Sequence, residues 1–164
     1  MQPILEAKNL LKNFPLNRGI LERKKAQVHA VRSVSLKVNK GETFGIVGES
    51  GCGKSTLARM LVGLTEPTNG DILIQNNKLD KKSQKSSLPR LIQYVFQDPI
   101  SSLNPRKTIR QVINVPLTHL RKLSEKDREK QIKILFKAVN LQEEFLERYP
   151  HEFSGGQAQR IGKL

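Results

Sequence analysis

One stretch of nine residues limits the folds open to this chain more than anything else in it: Gly48-Glu-Ser-Gly-Cys-Gly-Lys-Ser-Thr56. The spacing Gly48-x-x-x-x-Gly53-Lys54-Ser55 is that of a phosphate-binding loop. Gly48, Gly51 and Gly53 allow backbone conformations closed to residues with a Cβ, and they let amide groups come close to an anion. Those amides, gathered at the mouth of a helix, make a nest for phosphate. Lys54 is then placed to reach the β- and γ-phosphates, Ser55 to hold magnesium through its hydroxyl, and Thr56 to add a further phosphate contact. Glu49, Ser50 and Cys52 occupy the variable positions of the same cradle. Cys52 reads as filler rather than as a redox group or a nucleophile.

The flanks fit this reading. Thr43-Phe-Gly-Ile-Val47 is a nearly continuous apolar run, as expected of a strand covered on both faces. After the loop, Leu57, Met60, Leu61 and Leu64 recur at helical spacing, and Gly63 is placed to stop that helix. Strand, glycine loop and helix in that order predict a nucleotide site. Around it, Ile4–Leu10 opens with apolar residues, Asn13–Gln27 reads as a polar loop, and Val34–Val38 alternates as a half-buried strand. Asn39–Glu42 reads as a turn, Asp71–Ile74 and Leu91–Phe96 as further strands, and Lys78–Ser87 as a surface loop. Beyond Asp98 the pattern turns helical. Ser124 is an expected N-cap, followed by Glu125 and Asp127 in a first turn that favours acids. Ile132, Leu135, Phe136 and Val139 then line one face, and Asn140 can end the helix.

The chain has 164 residues, which suits one compact domain. Its 29 Lys and Arg against 15 Asp and Glu leave a net charge of +14. A balance that basic raises nucleic acid, anionic lipid or phosphorylated ligands as partners. The positive charges are spread along the chain, and no aromatic residues interleave with them at stacking intervals, so a solvated lysine-rich surface is the better account of them. A single cysteine excludes an internal disulfide and fits a reducing compartment. No charged-then-apolar leader opens the chain, and no apolar run approaches the roughly 18 residues of a spanning helix. The expectation is a cytoplasmic protein that reaches a membrane only by docking.

A second glycine motif discriminates among the phosphate-loop machines. Phe153-Ser-Gly-Gly-Gln157 places two glycines and a capping serine before a helix, again an anion-binding end. Two phosphate sites far apart in one chain make sense if two chains face each other and each covers the other's nucleotide. With these residues, Tyr94-Val-Phe-Gln-Asp-Pro99, Ser102-Leu-Asn-Pro-Arg106 and Arg148-Tyr-Pro-His-Glu-Phe153, the sequence resembles the ATP-binding subunits of ABC transporters. More narrowly, it resembles the importers for oligopeptides, dipeptides and nickel. The resemblance runs over nearly the whole chain.

It implies an α/β fold, a P-loop NTPase core carrying an antiparallel β subdomain and a helical subdomain, with ATP and Mg2+ as cofactors. It implies a core and β subdomain over 1–97, and a helical subdomain with the signature motif over 98–164. Lys54 and Gln97 become the catalytic residues, Gln97 being similar to the glutamine that reaches magnesium and the attacking water. Ser55 and Gln97 become the magnesium contacts. Phe14 stands where the family stacks an aromatic ring on adenine. Ser154, Gly155, Gly156 and Gln157 resemble the signature that binds the γ-phosphate of the opposite subunit. His151 belongs to the segment before that signature, and a catalytic role is not assigned to it. Implied partners are transmembrane permease subunits, a second ATP-binding subunit and, indirectly, a solute-binding receptor at the inner face of a bacterial membrane. A nucleic-acid partner is disfavoured.

The chain also departs from the family. Ala158 stands where an arginine is usual, and the sequence stops at Gly162-Lys163-Leu164, before the Walker B strand, its catalytic glutamate, the D-loop and the switch histidine. The expectation is a truncated subunit that folds poorly and hydrolyses ATP negligibly alone. The alternatives are a nucleotide-binding remnant without turnover and a soluble ABC ATPase of nucleic-acid metabolism. A small-molecule P-loop kinase would leave the second glycine motif unexplained.

Overall fold

A computed structural model describes residues 2–16, 27–80 and 88–164, which fall into two compact units, 1–92 and 93–164. The first is built on an antiparallel sheet. β1 (Pro3–Pro15) and β2 (Gln27–Asn39) pair along almost their whole length, and β3 (Asn69–Ile74) and the short β4 (Asn77–Lys78) follow in the order β2-β1-β3-β4. Apolar residues meet across the ladder, Leu5 opposite Val38, Ala7 opposite Leu36 and Leu10 opposite Val34. These cross-strand pairs are the unit of sheet stability. Between Ala7 and Leu10 the register slips. Asn9 and Ser33 there take left-handed backbone angles, and Asn9 N–H donates to Ser35 Oγ at 2.8 Å. A local side-chain acceptor of this kind makes an irregular backbone tolerable. Glu6 on the same strand is held by Lys37 at 3.0 Å and Lys8 at 3.4 Å.

β3 turns into β4 through Gln75 and Asn76, both at positive φ. This is the two-residue hairpin whose twist matches that of the strands. One helix, α1 (Lys54–Leu61), lays Leu57 and Met60 into a core with Ala7, Leu10, Val31, Ile72 and Ile74. It stops where the glycine allows. Gly63 sits at φ 72°, its N–H donates to Met60 O at 3.0 Å, and Leu64 N–H donates to Arg59 O at 2.8 Å. That pair of bonds satisfies carbonyls the helix end would otherwise strand.

The structure corrects two predicted strands. Thr43–Val47 forms no strand, and Val47 is 93% exposed. Leu91 closes a single helical turn, α2 (Leu88–Leu91), and the residues after it to Phe96 run irregularly, with Tyr94 and Phe96 edge to face at 4.7 Å. The physical reason is common to both. A strand exists only in a ladder, and no described segment pairs with either run. The predicted strand at Val34–Val38 does form, but it reaches 13 residues, and the apolar opening Ile4–Leu10 lies within a second strand of the same length. Asn13–Pro15 thus belong to β1 and Gln27 to β2 rather than to a loop, Lys78 belongs to β4, and residues 17–26 and 81–87 of the two predicted loops lie outside the described residues.

The second unit is helical. α3 (Ile109–His119) begins at Thr108, which with Gln111 forms a reciprocal capping box. α4 (Glu125–Ala138) begins at Ser124, whose Oγ accepts the Asp127 N–H at 3.2 Å, and Asn140 closes it at φ 52°. Ile109, Ile132 and Phe136 are fully buried at the centre, with Ile113, Leu146 and Ile161 around them. Arg110 ties this unit from outside, donating to Glu129 of α4 and to Glu147, each at 2.5 Å. α5 (Gly155–Ile161) ends the chain's described helices.

Candidate nucleotide-binding site

In the first unit, the loop from Gly48 to Gly53 leads straight into α1. Gly48, Gly51 and Gly53 have φ of 154°, 82° and 97°, the left-handed side that side chains resist. Gly53 is constrained twice over. A Cβ there would run into the carbonyl oxygen of Ala30 on β2, so the loop rests directly against the sheet backbone. Because Gly53 is also the N-cap and carries no side chain, the helix mouth has no side-chain cap. Its first intrahelical bond is Leu57 N–H to Gly53 O at 2.9 Å. The amides of Lys54, Ser55 and Thr56 precede that bond and face outward as donors.

Lys54 folds back over the loop. Its Nζ donates to the carbonyls of Gly48 and Glu49, both at 2.7 Å, and sits 3.7 Å from Cys52 Sγ. The ammonium is thereby fixed in the middle of the cradle, and Cys52 is an exposed free thiol against it. Gly53, Lys54 and Leu57 also border a cleft of about 430 Å³, with His29, Val31 and Arg32 on its β2 side and Ile46 and Val47 opposite. Volume, concavity and the cations Lys54 and Arg32 in its lining fit a nucleoside polyphosphate.

Phe14 stands at the end of β1 opposite Val28, 41% exposed. The Lys12 ammonium lies 5.0 Å from its ring centroid and donates to Glu66 O at 2.7 Å. One residue before Phe14, Asn13 pairs with His29, whose Nδ1 is 2.8 Å from Asn13 Oδ1. β1 and β2 thus carry an aromatic ring, a histidine and an arginine in the same unit as the phosphate loop. The contributions of His29 and Arg32 escaped the reading of the sequence. Their signal was the pairing of β2 with β1, which a short alternating strand at Val34–Val38 does not reveal.

The remaining predicted residues belong to the second unit. Gln97 is exposed in the irregular segment before Asp98. Ser154 is the N-cap of α5, and its own N–H donates to Gln157 Oε1 at 3.0 Å, with Gly155 and Gly156 forming the first turn. No carboxylate borders the cleft around Lys54 among its described lining residues. Nor is there, among the described residues, a cluster of three or more His, Cys, Asp or Glu able to hold a metal. The Ser55 hydroxyl is a hard oxygen donor, and a magnesium ion held by one such ligand, phosphate oxygens and water matches that ion's ordinary chemistry. The donor set fits.

Comparison with known proteins shows the family. The profile of the family described as ABC transporter matches residues 31–162. The oligopeptide transport ATP-binding protein AppF of Bacillus subtilis is 46% identical over 164 residues, covering 98% of this chain and 50% of that protein. The dipeptide transport ATP-binding protein DppF of Haemophilus influenzae is 45% identical, covering 97% of this chain and 49% of its own length. The chain therefore spans about half the length of these curated relatives. Among solved structures, a dimeric bacterial ABC transporter cassette superposes with a TM-score of 0.79 at 30% identity, over 96% of this chain and 66% of that one.

Proposed function

Because the chain belongs to the ABC transporter family of ATP-binding cassettes, we propose that it is the ATP-binding part of a subunit that energises import of peptides. The observation that carries this reading is the cradle itself. Lys54 is centred by two loop carbonyls at the uncapped mouth of α1, beside a nucleotide-sized cleft. In it, the triphosphate lies on the amides of the loop and helix start, with Lys54 as its point charge. The Ser55 hydroxyl contacts Mg2+, and Phe14 stacks on adenine. When bound, the metal neutralises charge that develops on the phosphates. Ser154, Gly155, Gly156 and Gln157 face the nucleotide of a second ATP-binding subunit. Peptides are preferred over nickel as cargo because the relatives' names are those of oligopeptide and dipeptide transport proteins.

No described helix is long and apolar enough to cross a membrane. In this reading the protein docks on permease subunits at the cytoplasmic face of a membrane, with a solute receptor beyond. The test is isothermal titration with Mg-ATP. Replacing Lys54 by Ala removes a charge-assisted contact worth about 1.5–3 kcal/mol, so affinity falls by roughly 10- to 100-fold. Unchanged affinity in a folded sample overturns the assignment.

One observation favours a second reading, a chain that binds nucleotide without turning it over. No Asp or Glu is among the described side chains bordering the cleft. Hydrolysis needs a group that orients the attacking water. Tight Mg-ATP binding with no phosphate release from the 164-residue chain supports this reading, whereas Lys54-dependent phosphate release rejects it.

A further inference from the structure

The chain's excess of positive charge is not consumed by the nucleotide site, and α4 organises part of it. Lys126, Lys130, Lys133 and Lys137 are all exposed. At about 100° per residue they fall within about 60° of one another, a single row about 17 Å long. The buried residues Ile132 and Phe136 point away from that row. The acids of this region are mostly engaged elsewhere. Glu129 is taken by Arg110 at 2.5 Å, and Asp127 accepts the Ser124 hydroxyl at 2.6 Å. Glu143 reaches the row, pairing with Lys133 at 2.8 Å, while Glu125 and Glu144 lie exposed at its borders. Lys126, Lys130 and Lys137 have no acidic partner among the described residues.

Ile134, 60% exposed, borders the row. Between Lys133 and Lys137 opens a recess of about 320 Å³ with Ile134, Leu141 and Glu143, the partner of Lys133, in its wall. Cations and exposed apolar surface side by side suit an anionic amphiphile better than a purely polar polyanion. The row is all lysine, with no arginine fork and no aromatic ring on that face. Flexible point charges match a diffuse negative plane, whereas reading nucleic acid relies on fixed bidentate and stacking geometry.

We infer that this face of α4 is a docking surface for an anionic phospholipid bilayer. It lies within the second unit and is independent of the nucleotide cradle. Each lysine near a charged membrane strengthens binding by about fivefold.

The test is co-sedimentation of the 164-residue chain with vesicles of phosphatidylglycerol in phosphatidylcholine, against phosphatidylcholine alone. Binding is expected only to the anionic vesicles, weakening as salt rises. The variant K126Q/K130Q/K137Q is expected to lose on the order of a hundredfold in vesicle affinity. K126R/K130R/K137R keeps it, and R106Q/K107Q/K163Q, which removes the same charge off the row, loses far less. Helical circular dichroism establishes that each variant is folded. Mg-ATP affinity is unchanged in all three, which separates this inference from the proposed function. Equal binding to neutral vesicles, equal losses in the on-row and off-row variants, or a row-dependent affinity for a DNA duplex without vesicle binding would overturn it.

Discussion

The two units differ in how far each completes its own core. In the helical unit, Ile109, Ile132 and Phe136 are sealed by residues of the same 72-residue stretch. In the first unit, the sheet buries Ala7, Leu10 and Ile72 on one side, yet a few residues from the phosphate loop Phe44 and Ile46 are only partly covered and Val47 stands in solvent. The difference follows from where hydrogen bonds close. A helix satisfies its backbone within a turn, and an antiparallel hairpin satisfies it within a short loop. An apolar run meant for the middle of a sheet needs a neighbour from elsewhere. Apolar pattern specifies what should be buried, and pairing decides whether it is.

This contrast can be broken or sharpened by experiment. The largest effect is expected from Phe136→Ala, which empties the centre of the helical unit and costs about 3–5 kcal/mol. The contrasting change in the first unit, Val47→Ala, is expected to stay within about 0.5 kcal/mol because that side chain is 93% exposed. Urea unfolding followed by helical circular dichroism reads both, and equal costs would erase the distinction. A smaller loss, about 1 kcal/mol, is expected for Ser124→Ala, which takes the cap from α4. The same unfolding curves measure it, and no shift would mean the helix start is held by packing alone.

The smallest effect lies in the sheet. Hydrogen bonding from Lys37, then from Lys8, holds the Glu6 carboxyl below its ordinary value of 4.5. A depressed carboxylate stabilises the fold above the unfolded-state value, and that contribution is lost as pH falls through the lower folded-state value. Lys37→Gln is therefore expected to shrink the stability difference between neutral pH and pH below the carboxylate range, leaving stability under acid nearly unchanged. Unfolding curves at both pH values test this.

Much of the site was legible because glycines and caps act locally. Gly48, Gly53 and Lys54 announce the loop, Gly63 ends α1, and Ser124 starts α4, each through bonds spanning a few residues. The sheet was less legible. Lys8, Asn9, Lys12 and Asn13 interrupt the alternation of β1, and the register slips around Asn9 shift which residues face inward. A two-residue period cannot be followed through such slips. α3 was equally obscure, since Pro116 sits inside it, although its capping box is plain once Thr108 and Gln111 are seen together. The strand readings at Thr43–Val47 and Leu91–Phe96 failed for a different cause. Their composition was read correctly, and what they lacked was a partner.

The abutment of Gly53 on the Ala30 carbonyl has a mechanical consequence. Two residues along β2, Val28 faces Phe14 across the ladder. The strand is thus a ruler with the phosphate loop butted against one mark and the aromatic ring fixed at another. Sliding β2 by a single residue would drag both marks together, so the distance between them is set by backbone length rather than by any side chain.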